Sequence, residues 1–92
     1  MANFRIFETD QFIEDLSADF KGRREKIKDK LLRYVYPQLR GNPYFGKNIK
    51  KLKNYTPEIW RYRIGDYRFF YELDEEDSIV YMIAAESRKD SY

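Results

Sequence analysis

Apolar positions along the chain fall into two spacings, and each predicts its own kind of element. Near the start, Phe4, Ile6 and Glu8 alternate in parity with Arg5 and Phe7, the period of a short strand. Thr9 or Asp10 follows as a helix cap. Phe12, Ile13, Leu16 and Phe20 then recur at helical spacing, and Lys21-Gly22 supplies a stop and a tight connection. Ile27, Leu31, Tyr34 and Val35 carry the apolar stripe onto a second helix, with Arg23, Arg24, Lys26, Lys28, Asp29 and Lys30 on its wet side. Pro37 and then Gly41-Asn42-Pro43 end it, because proline removes a backbone donor and crowds the preceding turn. From Tyr44 to Tyr55 the chain is basic and has no clear periodicity, which predicts a loop with room for one helical turn, closed by Pro57. Three strand-like runs complete the sequence: Ile59 to Ile64, Tyr67 to Leu73, and Ser78 to Ala85. The order is that of an α+β fold: strand, two-helix hairpin, antiparallel meander.

The first two strands of the meander can be registered from the turn between them. Ile64-Gly65-Asp66-Tyr67 places Gly-Asp between two apolar-rich runs, and glycine accepts positive φ at the first position of a two-residue turn. If Ile64 faces Tyr67, then Arg63 faces Arg68, Tyr62 faces Phe69 and Arg61 faces Phe70. Trp60, Tyr62, Ile64, Tyr67, Phe69 and Tyr71 share one face, the predicted core. Arg61, Arg63, Arg68 and Phe70 share the other. Like charges directly opposite each other on a sheet repel, so folding alone supplies no reason for Arg63 against Arg68. Guanidinium groups match phosphate bidentately, and Phe70 beside them offers a surface on which a base stacks. In the last strand both parities of Ile79 to Ala84 are apolar, so neither its core face nor the facing of Arg88 follows from pattern.

Composition narrows the chemistry. The net charge is only +2, but seven cations against two carboxylates lie between Lys47 and Arg68, and Glu72, Asp74, Glu75, Glu76 and Asp77 follow with no cation among them. A local positive field beside a negative rim holds a polyanion in register even on a nearly neutral chain. A basic loop such as Lys47, Lys50, Lys51 and Lys53 is ordinarily just solvated; its closeness to the arginine face makes it a candidate surface for RNA. With no cysteine and no histidine, disulfides, thiolate nucleophiles, Cys-ligated zinc and imidazole catalysis are excluded, which fits a reducing cytoplasm. Consecutive acids at 74–77 suit a solvated turn better than a metal site, so no metal and no cofactor are expected. The N-terminus alternates and is charged, unlike a signal peptide, and no run reaches membrane-spanning length. Ninety-two residues support one thin core, hence one domain over 1–92.

The element order, together with Trp60-Arg61-Tyr62-Arg63-Ile64-Gly65-Asp66-Tyr67-Arg68-Phe69-Phe70-Tyr71 and the closing Arg88-Lys89-Asp90-Ser91-Tyr92, resembles the RelE/ParE toxin superfamily over essentially the whole chain. The resemblance implies a curved four-stranded sheet and the toxin of a type II toxin–antitoxin pair. It further implies a ribosome-dependent endoribonuclease that cleaves mRNA in the decoding site by metal-independent 2′-hydroxyl attack, inhibiting translation and arresting growth. By the same resemblance Arg61 and Arg63 hold the basic-strand positions, Arg68 stabilises the phosphate, Arg88 lies on the leaving-group side, and Tyr92 stacks on or orients a base. Lys47, Lys50, Lys51, Lys53, Phe70 and Lys89 complete the expected surface for RNA and ribosome.

Two departures bear on mechanism. RelE itself carries lysines on the basic strand, and lysine can serve as a base where arginine stays protonated. Other members carry histidine near the closing motif, where this chain has Ser87. The general base is open among Lys50, Lys51, Lys53, Glu86 and Tyr92. The expected partners are a cognate antitoxin, whose acidic segment crosses the helices and approaches the arginine face, and the ribosome with its bound mRNA and rRNA. Two other functions fit the same fold: a ParE-like poison of DNA gyrase without chemistry of its own, and an inert descendant that only binds an antitoxin.

Overall fold

The computed structural model describes residues 3–19 and 24–87. In chain order these form β1 (Arg5–Glu8), α1 (Asp10–Asp19), α2 (Arg24–Lys30), a π-helical stretch (Leu31–Val35), α3 (Tyr36–Gly41), β2 (Ile49–Lys51), β3 (Trp60–Ile64), β4 (Tyr67–Asp74) and β5 (Ile79–Ser87). The strands make one sheet in the order β1-β5-β4-β3-β2, with β1 parallel to β5 and the other pairs antiparallel. The helices cover one face. Phe12 of α1, Ile27, Leu31, Val35, Tyr36 and Leu39 bury against Phe4, Tyr62, Phe69, Tyr71, Val80, Met82 and Ala85. Among the described residues no helix is long and apolar enough to cross a membrane.

Thr9 is the cap of α1: its hydroxyl accepts the Phe12 N–H at 3.4 Å and donates to the Met82 carbonyl at 2.7 Å, fastening the helix start to β5. The predicted helix stop at Phe20, Lys21 and Gly22 lies outside the described residues. Pro37 does not end the second helix. The turn before it is widened, with the Tyr36 N–H donating to the carbonyl of Leu31, and Pro37 falls in the first turn of α3, where a missing donor costs nothing. The wide turn also shifts the apolar stripe. Tyr34, expected in the core, is 56% exposed, while Tyr36 and Leu39 are buried.

All four expected strands are present, and the sheet gains a fifth. Ile49–Lys51, in the segment expected to be a loop, lines the edge of β3 with Lys50 opposite Arg61. Flanking hydrogen bonds hold it there: Arg63 N–H donates to the Asn48 carbonyl at 3.0 Å, and Leu52 N–H to Ile59 at 2.9 Å. Three residues are too few to display alternation, so this strand exists because β3 offers its edge. The one helical turn allowed in the loop is replaced by a tight turn, in which Ile49 N–H donates to Gly46.

The ambiguous parity of β5 has a physical cause. Phe70 pairs with Ala84 and Tyr71 with Met82, so Ile83 is an extra residue, a bulge, and the core face changes parity across it. Val80 and Met82 are buried before the bulge, Ala85 and Ser87 after it. The Ala85 N–H just past the bulge donates to the Asp15 carboxylate of α1 at 3.0 Å.

Candidate nucleic-acid interface

The β3–β4 hairpin has the register derived from its turn: Ile64 opposite Tyr67, Arg63 opposite Arg68, Tyr62 opposite Phe69 and Arg61 opposite Phe70. Gly65 has φ +58° at the first turn position, and Asp66 does not share it, as a Gly-first two-residue turn requires. Tyr62, Phe69 and Tyr71 are buried under the helices, which sends Arg61, Arg63, Arg68 and Phe70 to the uncovered face.

On that face the pairings compose two rows across the sheet. One runs Lys50, Arg61, Phe70, Ala84; the other runs Arg63, Arg68, Glu86. Lys47, Lys50, Arg61 and Arg63 border a groove of about 500 Å³, with Asn48 and Gly65 in its wall. A smaller recess beside it is lined by Arg61, Arg63, Asp66 and Arg68. The Nε atoms of Arg61 and Arg68 are buried and have no hydrogen-bond acceptor among the described residues. A buried donor without a partner costs about 1–3 kcal/mol, so two on adjacent strands mark a place suited to an external acceptor. Arg68 is joined across the strands to Glu86, Nη2 to Oε1 at 3.1 Å, with the two side chains 33% and 46% exposed. No carboxylate is directly opposite Arg63.

The structure brings together only part of the expected basic loop. Lys47 and Lys50 reach the groove; Lys51 has the other parity, ion-paired with Glu58 and 5.9 Å from the Trp60 ring, and Lys53 is not in the groove wall. Glu58 therefore offsets Lys51 and not the arginine face. Arg88, Lys89 and Tyr92 lie outside the described residues. Asn48 and Asp66 line the site without having been singled out from sequence. Nothing in composition or period marks Asn48, whose place depends on the backbone bond to Arg63, while Asp66 carried only a turn signal.

The acidic segment sits at the other end of the β4–β5 hairpin. Asp74 accepts the Asp77 N–H at 3.1 Å as a turn cap, and Glu75 accepts the Tyr44 hydroxyl at 2.8 Å. Among the described residues no group of three or more carboxylates is placed to hold a metal ion. Behind the sheet, Tyr71 donates to the Pro43 carbonyl at 2.6 Å, and Tyr44 packs edge-on against Phe4 and Trp60, so the chain entering the basic loop is anchored in the core.

Comparison with solved structures supports the same architecture. The toxin–antitoxin complex RelBE2 of Mycobacterium tuberculosis matches with a TM-score of 0.75 at 20% identity, over 94% of this chain and 99% of that one. A free-state Escherichia coli RelE carrying two arginine-to-alanine changes matches with 0.64 at 20% identity, over 99% and 88%. The archaeal RelE–RelB complex of Pyrococcus horikoshii matches with 0.55 at 22% identity, over 96% and 97%. No curated protein is similar in sequence. Residues 8–92 match the family described as the ParE toxin of the type II toxin–antitoxin system parDE. The chain thus belongs to the ParE toxin family of type II toxin–antitoxin systems, within the RelE/ParE superfamily.

Proposed function

We propose that the chain is a single toxin domain that cleaves ribosome-bound mRNA in the cytoplasm, using the uncovered face of its sheet. The observation carrying this reading is the arginine cluster: Arg61, Arg63 and Arg68 on one face, two of them with buried Nε donors that have no acceptor among the described residues, beside a groove edged by Lys47 and Lys50. In the reaction the RNA 2′-oxygen forms a bond to the adjacent phosphorus as the bond from phosphorus to the 5′-oxygen breaks, leaving a cyclic phosphate. Charge accumulates on the phosphoryl oxygens, and guanidinium donors fixed on a sheet stabilise it with little reorganisation. Arg61 and Arg68 fill that role with Arg63 as support. Phe70, next to Arg61 across the strands, is the stacking platform. Arg88 stands on the leaving-group side, and Lys89 and Tyr92 hold neighbouring nucleotides.

The antitoxin is the expected covering partner. An apolar groove of about 530 Å³ between β1, α1 and the second helix, with Ile6, Ile13, Leu16 and Leu32 in its wall and Lys28 and Arg40 on its rim, suits an amphipathic segment with acidic flanks.

The test is primer extension on a defined mRNA, with and without programmed ribosomes. Ribosome-dependent cuts that disappear in Arg68→Ala, with the fold retained by circular dichroism, support the reading. The description of the matching family as ParE favours a second reading, a gyrase poison. That reading predicts intact mRNA in every lane and conversion of supercoiled plasmid to linear DNA when gyrase is present.

A further inference from the structure

We infer that Glu86 is the general base of the proposed cleavage, held by Arg68 on the strand beside it. This rests on the nuclease reading, and asks which group takes the 2′-hydroxyl proton.

The face itself reduces the choice. Arginine stays protonated at any working pH and cannot accept a proton. Phe70 and Ala84 carry no titratable group, and the chain has no histidine or cysteine. Lys51 is on the opposite parity against Glu58, and Lys53 is outside the groove wall. Lys50 shares the face, but it lies two strands away from Arg68, beyond Arg61. Asp66 sits in the turn, exposed, in the wall of the recess that Arg61, Arg63 and Arg68 also line. Glu86 is on the strand adjacent to Arg68, in the row Arg63, Arg68, Glu86, where Arg68 holds its carboxylate directly at 3.1 Å.

The contact with Arg68 engages one terminal nitrogen, Nη2, and leaves Nε without an acceptor among the described residues. A guanidinium fork that holds a carboxylate on one nitrogen and a phosphoryl oxygen on another sets the carboxylate beside the sugar attached to that phosphate. That is the geometry a base needs, within hydrogen-bond reach of the hydroxyl it deprotonates. Stability does not explain the pair, since partly exposed ion pairs contribute only about 0–1 kcal/mol. The balance is complete: the 2′-hydroxyl proton passes to the Glu86 carboxylate, the 2′-oxygen bonds to phosphorus, and the 5′-oxygen leaves phosphorus and takes a proton from solvent water.

The experiment measures single-turnover cleavage of mRNA on programmed ribosomes across pH for the wild type, Glu86→Gln and Glu86→Asp. Binding of an mRNA with a 2′-deoxy nucleotide at the cut is measured alongside. The expected result is a loss of about 10²–10⁴-fold in Glu86→Gln, with the acid-side fall of the wild-type profile abolished, undiminished binding, and partial recovery in Glu86→Asp. A 5′-thiolate leaving group should not rescue Glu86→Gln, because base catalysis is what is missing. Wild-type cleavage with Glu86→Gln equally fast, or slowed but with its acid limb intact, overturns the assignment and leaves the nuclease reading standing. No cleavage by the folded wild type overturns both.

Discussion

Gly65 shows how one residue's backbone freedom sets the whole face. Its φ of +58° allows the two-residue turn that puts Arg63 opposite Arg68, and space around it is open, with nothing within 4 Å of an added Cβ. Conformational strain alone should therefore govern Gly65→Ala, which is expected to cost about 1–2 kcal/mol in urea unfolding. A midpoint unchanged from wild type would mean that the turn relaxes to another type. The tyrosines carry the other residue-scale consequence. Burial first, and then the 2.5 Å hydrogen bond to Glu8, hold the Tyr36 hydroxyl well above its ordinary range, and burial does the same for Tyr71. Both groups ionise near pH 10 once unfolded, so the stability they confer is complete below about pH 10 and is lost as pH rises through their native values. Of the nine tyrosines, these two should gain phenolate absorbance only together with the loss of circular dichroism. Smooth ionisation of all nine on a chain that stays folded would contradict that account.

At the scale of elements, α1 and the sheet are joined where β5 is irregular. Asp15 accepts the Ala85 N–H, a donor just past the bulge, so Asp15→Ala should destabilise by about 1–3 kcal/mol and Asp15→Asn by clearly less, since an amide oxygen also accepts. Equal costs in thermal unfolding would assign the effect to charge and not to the hydrogen bond. The β3–β4 pair carries the opposite trade. Arg63 and Arg68 face each other directly, and the only described acid facing either on a neighbouring strand is Glu86 beyond Arg68. Replacing the repulsion with attraction in Arg63→Glu should raise stability by up to about 1 kcal/mol while abolishing the ribosome-dependent cuts. A variant that is less stable as well as inactive would show that the guanidinium supports the fold.

Across the whole molecule, helices cover one side of the sheet and leave the other to a basic groove, with the acids gathered at the far end of the β4–β5 hairpin. The pattern of apolar positions by itself determined the order of β1, the helices, β3, β4 and β5, the strand pairing around Gly65 and the identity of the arginine face, because a period of two and a tight turn leave a single register that buries Tyr62, Phe69 and Tyr71. Local pattern could not reach features made by distant partners. β2 forms because β3 has an edge to pair with, and Asn48 reaches the groove through a backbone bond to Arg63. Pro37 is absorbed by a widened turn that also moves the buried stripe from Tyr34 to Tyr36. The core face of β5 switches at Ile83, which explains why both its parities are apolar, and that switch places Glu86 beside Arg68. Hydrophobic period is a property of neighbours in sequence, whereas edges, bulges and ion pairs depend on what tertiary packing brings alongside, and only the folded chain decided those.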